Sequence, residues 1–245
     1  MSRRARSFLL APALAGLTAL VYWGLAGLPH FGDYRGPYGF IINRVATPER
    51  HMTNAVTAVV FDYRGFDTLG EEFILFAAVV GTVLLLRAQG MKPPTERDWI
   101  GSDAVRTFGV LFAGPALVVS LWLVAFGTVT PGGGFQGGVA VVGGFVLIYA
   151  AADYRSFRTI ANEHVFDFGK GTGAGGYVVI GLAALVSGAP FLHNLLGPGE
   201  TGTLVSGGSV PFINWSVALE VAAANLLLVR EFLEHYDVPL KGGGR

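Results

Sequence analysis

Asn54-Ala-Val-Thr-Ala-Val-Val-Phe-Asp62-Tyr-Arg64-Gly-Phe-Asp67-Thr-Leu-Gly-Glu71-Glu72 carries five ionisable side chains straight into an apolar run that continues to Leu86. A charged side chain at the centre of a membrane helix costs about 2.5–3.5 kcal/mol on insertion scales, so such groups line a cavity, pair with one another, or carry protons and ions. Membrane ion transport is therefore the first functional class the chain suggests. Working outward, the 245 residues are 52% hydrophobic and 14% charged, and the charges fall in the gaps between apolar runs. That pattern reads as all-α, a polytopic membrane helix bundle, with no polar stretch long enough to build a separate soluble core.

A helix needs about 20 apolar residues to span a bilayer, and Phe8 to Leu28, Glu71 to Leu86, Phe108 to Val129, Phe135 to Ala152, Gly176 to Leu196 and Pro211 to Val229 qualify as about six transmembrane helices. The second and fourth are short and are expected to begin in irregular backbone, which at membrane depth needs protein or a water-filled cavity around it. Thirteen of the seventeen Lys and Arg residues fall on one side if both termini are cytoplasmic, as the positive-inside rule requires. The basic start Ser2-Arg3-Arg4-Ala5-Arg6 is read as the flank of a retained first helix. The apolar run after it exceeds a signal-peptide core and lacks a small-x-small cleavage site. Met52 to Phe61, too short to cross, is expected on the outer surface or re-entering. Asp153 to Gly175 reads as a cytoplasmic loop, its alternating glycines from Gly169 to Gly175 too flexible for a fixed element.

Thr130-Pro131-Gly132-Gly133-Gly134-Phe135-Gln136-Gly137-Gly138 contains a formal G-x-G-x-x-G. The nucleotide fingerprint requires a preceding strand and a following helix in a soluble β-α-β unit, so the match is rejected. Two readings stand. In one, a tight turn leads into a helix whose Gly134 and Gly138, then Ala140 and Gly144, admit a close neighbour; in the other, an unwound helix start turns free N–H groups towards an ion path.

Glu220 sits mid-span with Ser216, Ala223 and Ala224 on its face at helical spacing, so that face points into protein. It is either a structural acid or a proton or cation relay. Asp62, Asp67, Glu71 and Glu72 are expected to crowd together with only Arg64 nearby, an arrangement that invites a sodium ion or protons. The alternative is a solvated Asp62–Arg64 pair, with Glu71 or Glu72 at the positive end of a helix.

Absence of cysteine removes disulfides, thiolate-held zinc and iron–sulfur clusters from this chain. The five histidines share no metal-ligand spacing, and no nucleophile elbow or Walker sequence occurs. No catalytic residue, metal or cofactor is assigned. Zero net charge without a basic run gives no support to nucleic-acid binding.

Two segments resemble known families. Asn54 to Glu72, above all Asp62-Tyr-Arg64-Gly-Phe-Asp67-Thr-Leu-Gly-Glu71, resembles the C-terminal region of the large A subunit of Mrp-type multisubunit sodium/proton antiporters and the matching E subunit of membrane-bound hydrogenases. Residues from about Arg106 onward, chiefly Pro131-Gly-Gly-Gly134-Phe135, resemble the MnhB subunit of the same antiporters. The implied layout is an A-subunit-like membrane region over 1–90, a cytoplasmic linker over 91–105, an MnhB-like four-helix domain over 106–235 and a cytoplasmic tail over 236–245. As function, the resemblance implies an accessory subunit in the cell membrane that exchanges sodium for protons beside other membrane subunits of an antiporter or hydrogenase complex. The ion-path candidates are then Asp62, Arg64, Asp67, Glu71, Glu72 and Glu220. The family pattern usually carries Asp where this chain has Glu220. The six spans lack the paired repeats of self-contained transporters, so the chain is not expected to transport alone, and a purely structural role in the complex is the rival reading.

Overall fold

The computed structural model describes residues 3–28, 30, 32–33, 36–88, 102–152 and 154–235. They form α1 (Arg3–Ala26), α2 (Pro37–Arg50), α3 (Ala55–Ala58), a π-helical turn (Val59–Tyr63), α4 (Gly65–Ala88), α5 (Asp103–Ala125), α6 (Gly134–Ala151), α7 (Tyr154–Ile160), α8 (Glu163–Val186) and α9 (Val210–His235). Among the described residues there is no strand. Helices α4, α5, α6, α8 and α9 are long and apolar enough to cross a membrane, and α1 contributes the shorter apolar segment Leu10–Ala26. The protein is a multi-pass helical membrane bundle. Two units divide the chain, Met1–Ile41 and Ile42–Arg245. The first holds α1 and the opening of α2, and everything below concerns the second.

Helix α9 is the axis of that unit, packing against α4, α5, α6 and α8. Small residues set the spacing. On α8, Gly169, Gly173 and Gly176 abut Ala223, Glu220 and Ser216 of α9 in antiparallel register, and a Cβ at Gly173 would overlap the Glu220 backbone. On α6, Gly134 and Gly138 lie against Asn214, Val217, Ala218 and Val221 of α9, while Gly137 and Gly144 face Val124 and Leu117 of α5. Close backbone approach through small residues drives helix association where lipid offers no hydrophobic contrast.

The core has two apolar layers. One gathers Met52, Phe61, Leu69, Tyr177, Ile213, Val217 and Val221. The other gathers Val79, Val83, Phe157, Phe166, Ala223 and Leu227.

Several expectations are corrected here. The fifth span is Glu163–Val186, not Gly176 to Leu196. The expected loop Asp153 to Gly175 is largely helical, because Asn162 caps α8 by accepting a hydrogen bond from His164 N at 3.0 Å and the glycines form a packing stripe rather than a flexible tether. Lys170 is consequently inside a membrane helix, which removes it from the loop tally that oriented the chain. The third span starts at Asp103, within the expected linker; the rest of that linker up to residue 101 lies outside the described residues, as does the tail 236–245.

The second span is not short and does not begin irregularly at Glu71, because α4 is regular from Gly65 to Ala88, with a π-helical turn just before it; the fourth, α6, follows directly on the glycine turn. Met52 and Phe61 are buried, and Thr57 Oγ1 donates to Gly127 O at 2.7 Å, so this segment is folded into protein beside the α5–α6 turn. Asn54 ties the same two parts, its side-chain nitrogen donating to Gly127 O and Thr130 O.

Candidate functional site

Glu72 on α4 and Glu220 on α9 face one another in the gap between the two apolar layers. Their relative exposures are 1% and 0%. The carboxyls lie within interaction range of each other, and among the described residues their four oxygens find no other hydrogen-bond partner. Each is placed by a reason visible in the chain. Glu220 shares its helix face with Ser216, Ala223 and Ala224 and is pressed against side-chain-free Gly173. Glu72 lies one turn beyond Thr68, whose hydroxyl donates to Val60 O at 2.6 Å and fixes the rotation of α4 against the π turn.

A third charge completes the group. Lys170 on α8 is 6% exposed, with Nζ 3.3 Å from Asp167 Oδ1 and 5.0 Å from the centre of the Phe76 ring. It acts electrostatically on Glu220. Tyr177, one turn along α8 from Gly173, is wholly buried and donates its hydroxyl to Gly65 O at 2.7 Å.

The other expected acids do not join them. Asp62 pairs with Arg50 at 2.7 Å, rather than with Arg64, and its carboxyl is held above the ordinary aspartate range by burial, against the opposing pull of Arg50 and then His193. Arg64 instead pairs with Asp67, and both are exposed. Glu71 is exposed on the outer side of α4. The expected crowd of four carboxylates therefore resolves into separate places. Successive residues of a helix point about 100° apart, so Glu71 and Glu72 cannot share a face. Asp62, Arg64 and Asp67 line, with Glu49, Arg50 and His193, a cleft of about 810 Å³ at the end of the bundle where α4 begins.

The Pro131 to Gly138 turn is a packing device. Gly132 and Gly133 have φ of +153° and +138°, conformations that L side chains rarely adopt. Gly133 N donates to Leu123 O at 3.0 Å, and Gly134 N donates to Asn214 Oδ1. Asn214 Nδ2 in turn donates to Val124 O at 2.7 Å. Gly132, Gly133, Gly134, Gly137 and Gly138 lie where an added Cβ would meet neighbouring atoms, Phe135 packs against the core and Pro131 is exposed; the N–H groups of Gly133, Gly134 and Gly137 are bonded, which favours close packing over an ion path at this turn.

At the opposite end, Arg87 closes α4 by donating to Glu231 of α9 at 2.9 Å and to Glu163 of α8, while Arg230 reaches Ala161 O and Glu234. Sequence reading missed this staple together with Arg50, Asn214, Tyr177 and Lys170. For Lys170 a signal existed: an Asn cap at position 162, then Gly169 and Gly173 at four-residue spacing, which marks a helix interface rather than a loop.

Comparison with known proteins agrees with this architecture. The family described as a domain related to the MnhB subunit of Na⁺/H⁺ antiporter matches residues 104–227. The chain belongs to that family. An uncharacterised protein of Methanocaldococcus jannaschii is 28% identical over 208 residues, covering 74% of this chain and 78% of that one. A probable K⁺/H⁺ antiporter A/B subunit of Rhizobium meliloti is 33% identical over 129 residues, covering 42% of this MnhB-related chain and 13% of the Rhizobium protein. Among solved structures, a chain of an archaeal respiratory membrane complex, the membrane-bound sulfane sulfur reductase, aligns with TM-score 0.71 and 32% identity over 93% of this chain and 100% of that one. A chain of the Mrp complex from Dietzia sp. DQ12-45-1b shares the fold, with TM-score 0.72 and 23% identity over 98% of this chain and 27% of the other.

Proposed function

We propose that this chain is an accessory membrane subunit of a multisubunit monovalent cation/proton antiporter module, in which Glu72 and Glu220 form part of an ion path completed by neighbouring membrane subunits. One observation carries the reading: two carboxyls buried at 1% and 0% exposure meet in the bundle interior with no other partner for their oxygens. Carboxyls that close do not both ionise without a cation, so the pair holds a proton or a monovalent cation and releases one when it takes the other. Sodium ion and proton are the proposed substrates.

In this reading Asp62, Arg64 and Asp67 form the mouth at the cleft, and exposed Glu71 faces a neighbouring subunit, since an acid on a membrane helix does not face hydrocarbon cheaply. The arginine-rich end of the bundle is cytoplasmic by the positive-inside rule, and the host is the cell membrane. Similarity to a respiratory complex as well as to an antiporter protein supports a module that serves either a stand-alone antiporter or a redox-driven assembly.

The test is antiport by the whole complex in everted membrane vesicles carrying Glu72→Gln or Glu220→Gln. Each change keeps shape and removes the ionisable group, and transport should fall roughly tenfold or more, as loss of a required relay carboxyl implies, while the complex still assembles. Full antiport in both variants would overturn the ion-path reading and leave a scaffold role.

A further inference from the structure

Lys170 is the one buried cation near the acid pair among the described residues, and its surroundings give it two destinations. Along α8, Lys170 lies three residues from Asp167 on one side and three from Gly173 on the other, so it neighbours both. Gly173 rests against Glu220 N and Cβ, which brings the α8 backbone one turn from Lys170 onto Glu220. On α4, Phe76, whose ring lies 5.0 Å from Nζ, is one turn beyond Glu72. One helical turn is about 5.4 Å, a span that a four-carbon side chain covers by changing rotamers. The ammonium is now with Asp167, whose side chain is 48% exposed, at 3.3 Å. Beside this helix, the four carboxyl oxygens of Glu72 and Glu220 are buried, with no outside partner among the described residues. The charged or titratable groups around this space are Glu72 from α4, Asp167 and Tyr177 from α8, and Glu220 from α9, with Glu71 on the outer side of α4 near enough to act on Glu72 and Tyr177.

We infer that Lys170 is a switching counter-ion, a positioning residue that moves between Asp167 and the Glu72–Glu220 pair. When the pair is loaded with a proton or a cation its charge is already offset, and Lys170 rests on Asp167, as seen here. When the pair unloads, the net negative charge draws the ammonium inward, and Asp167 is released to solvent. Phe76 keeps the cation over an aromatic face along the way, a contact that offsets part of the desolvation cost. The inference rests on the ion-path reading for its purpose, and on the geometry alone for its existence.

The test uses dicyclohexylcarbodiimide, which modifies protonated buried carboxyls, on the assembled complex, with modification of Glu220 quantified by mass spectrometry at fixed pH. Lys170→Met removes the counter-ion and should raise Glu220 modification, whereas Asp167→Asn leaves Lys170 only the inner pair and should lower it. Each change should be roughly tenfold, the effect of gaining or losing one neighbouring opposite charge. Lys170→Arg should restore the wild-type level. Asp167 is exposed, so Asp167→Asn carries the test even if Lys170→Met fails to assemble. A static Asp167–Lys170 pair unmasks the Lys170 charge in Asp167→Asn only at its resting distance and predicts a shift of about twofold or less; a shift that small, or equal direction in both variants, overturns the switch. Opposite changes with antiport intact in Glu72→Gln and Glu220→Gln would keep the switch and reject the ion path; lost antiport with unmoved labelling would do the reverse.

Discussion

Asp62 is held by opposing influences, and the balance makes its partner's effect depend on pH. Burial raises the carboxyl above its ordinary value of 3.8, while the Arg50 guanidinium pulls it down. A carboxyl raised in the fold contributes stability that is fully present below the unfolded value and is lost as pH rises through the folded value. Arg50 limits that loss. Arg50→Met should therefore differ least from wild type at a pH well below the ordinary aspartate value, where Asp62 is neutral, and melt progressively lower than wild type as pH rises to neutrality. The Arg50 side chain is 41% exposed, so solvent screening holds the difference to about 1 kcal/mol or less. Thermal melting of the detergent-solubilised complex across that range checks it, and a pH-independent difference would contradict the account. Asp62 is legible in the sequence as an acid at a membrane boundary. Its partner is not, because Arg50 reaches it only through the tight π turn at Val59–Tyr63, for which the local sequence carries no marker.

Helices α8 and α9 meet through glycines whose neighbours differ sharply by face. Gly173 abuts Glu220 and Ser216, whereas two residues earlier Gly171 has nothing within reach of an added Cβ. Gly173→Val must push α9 away and should cost about 1–3 kcal/mol or more through overpacking, with antiport lost because Glu220 moves from Glu72. Gly171→Val should melt close to wild type and keep transport, and similar behaviour of both variants would remove the packing stripe from the explanation. The same contrast explains what can be read from sequence. Spans with continuous apolar composition are legible, α6 to within a residue at each end and α9 at its start, though its charged last turns run on to His235, and the four-residue spacing of Gly134 and Gly138 marks the α6 face that meets α9. Helix α8 is displaced in a hydropathy reading because its first half, from Glu163 to Gly176, contains Asp, Lys, His and five glycines, so it lacks the apolar run that identifies a span. Burial against α9, not propensity, makes it helical.

Across the whole unit, charge is arranged in three tiers: an ion-paired cleft at Asp62, the acid pair with Lys170 in the middle, and the Arg87 staple at the far end. Sequence reading finds the acids of the first two tiers but groups them by chain proximity. Which acids meet is set by helix rotation and by partners more than a hundred residues away. The third tier joins α4, α8 and α9 where the carboxyl pair needs them fixed, since a rotation of any one would part Glu72 from Glu220. Glu231 is 1% exposed and is paired with Arg87, whose own side chain is 42% exposed. Breaking a fully buried pair costs about 3–5 kcal/mol, much of it from the stranded charge. With one partner half in solvent, Arg87→Met should cost about 2–3 kcal/mol. Antiport should fall with it, because α4 loses its tie to α8 and α9. Arg87→Lys keeps a cationic donor for Glu231 and Glu163 and should recover much of the loss in melting temperature and in transport. Unchanged melting and antiport in Arg87→Met would mean that the staple is not what aligns the three helices around the acid pair.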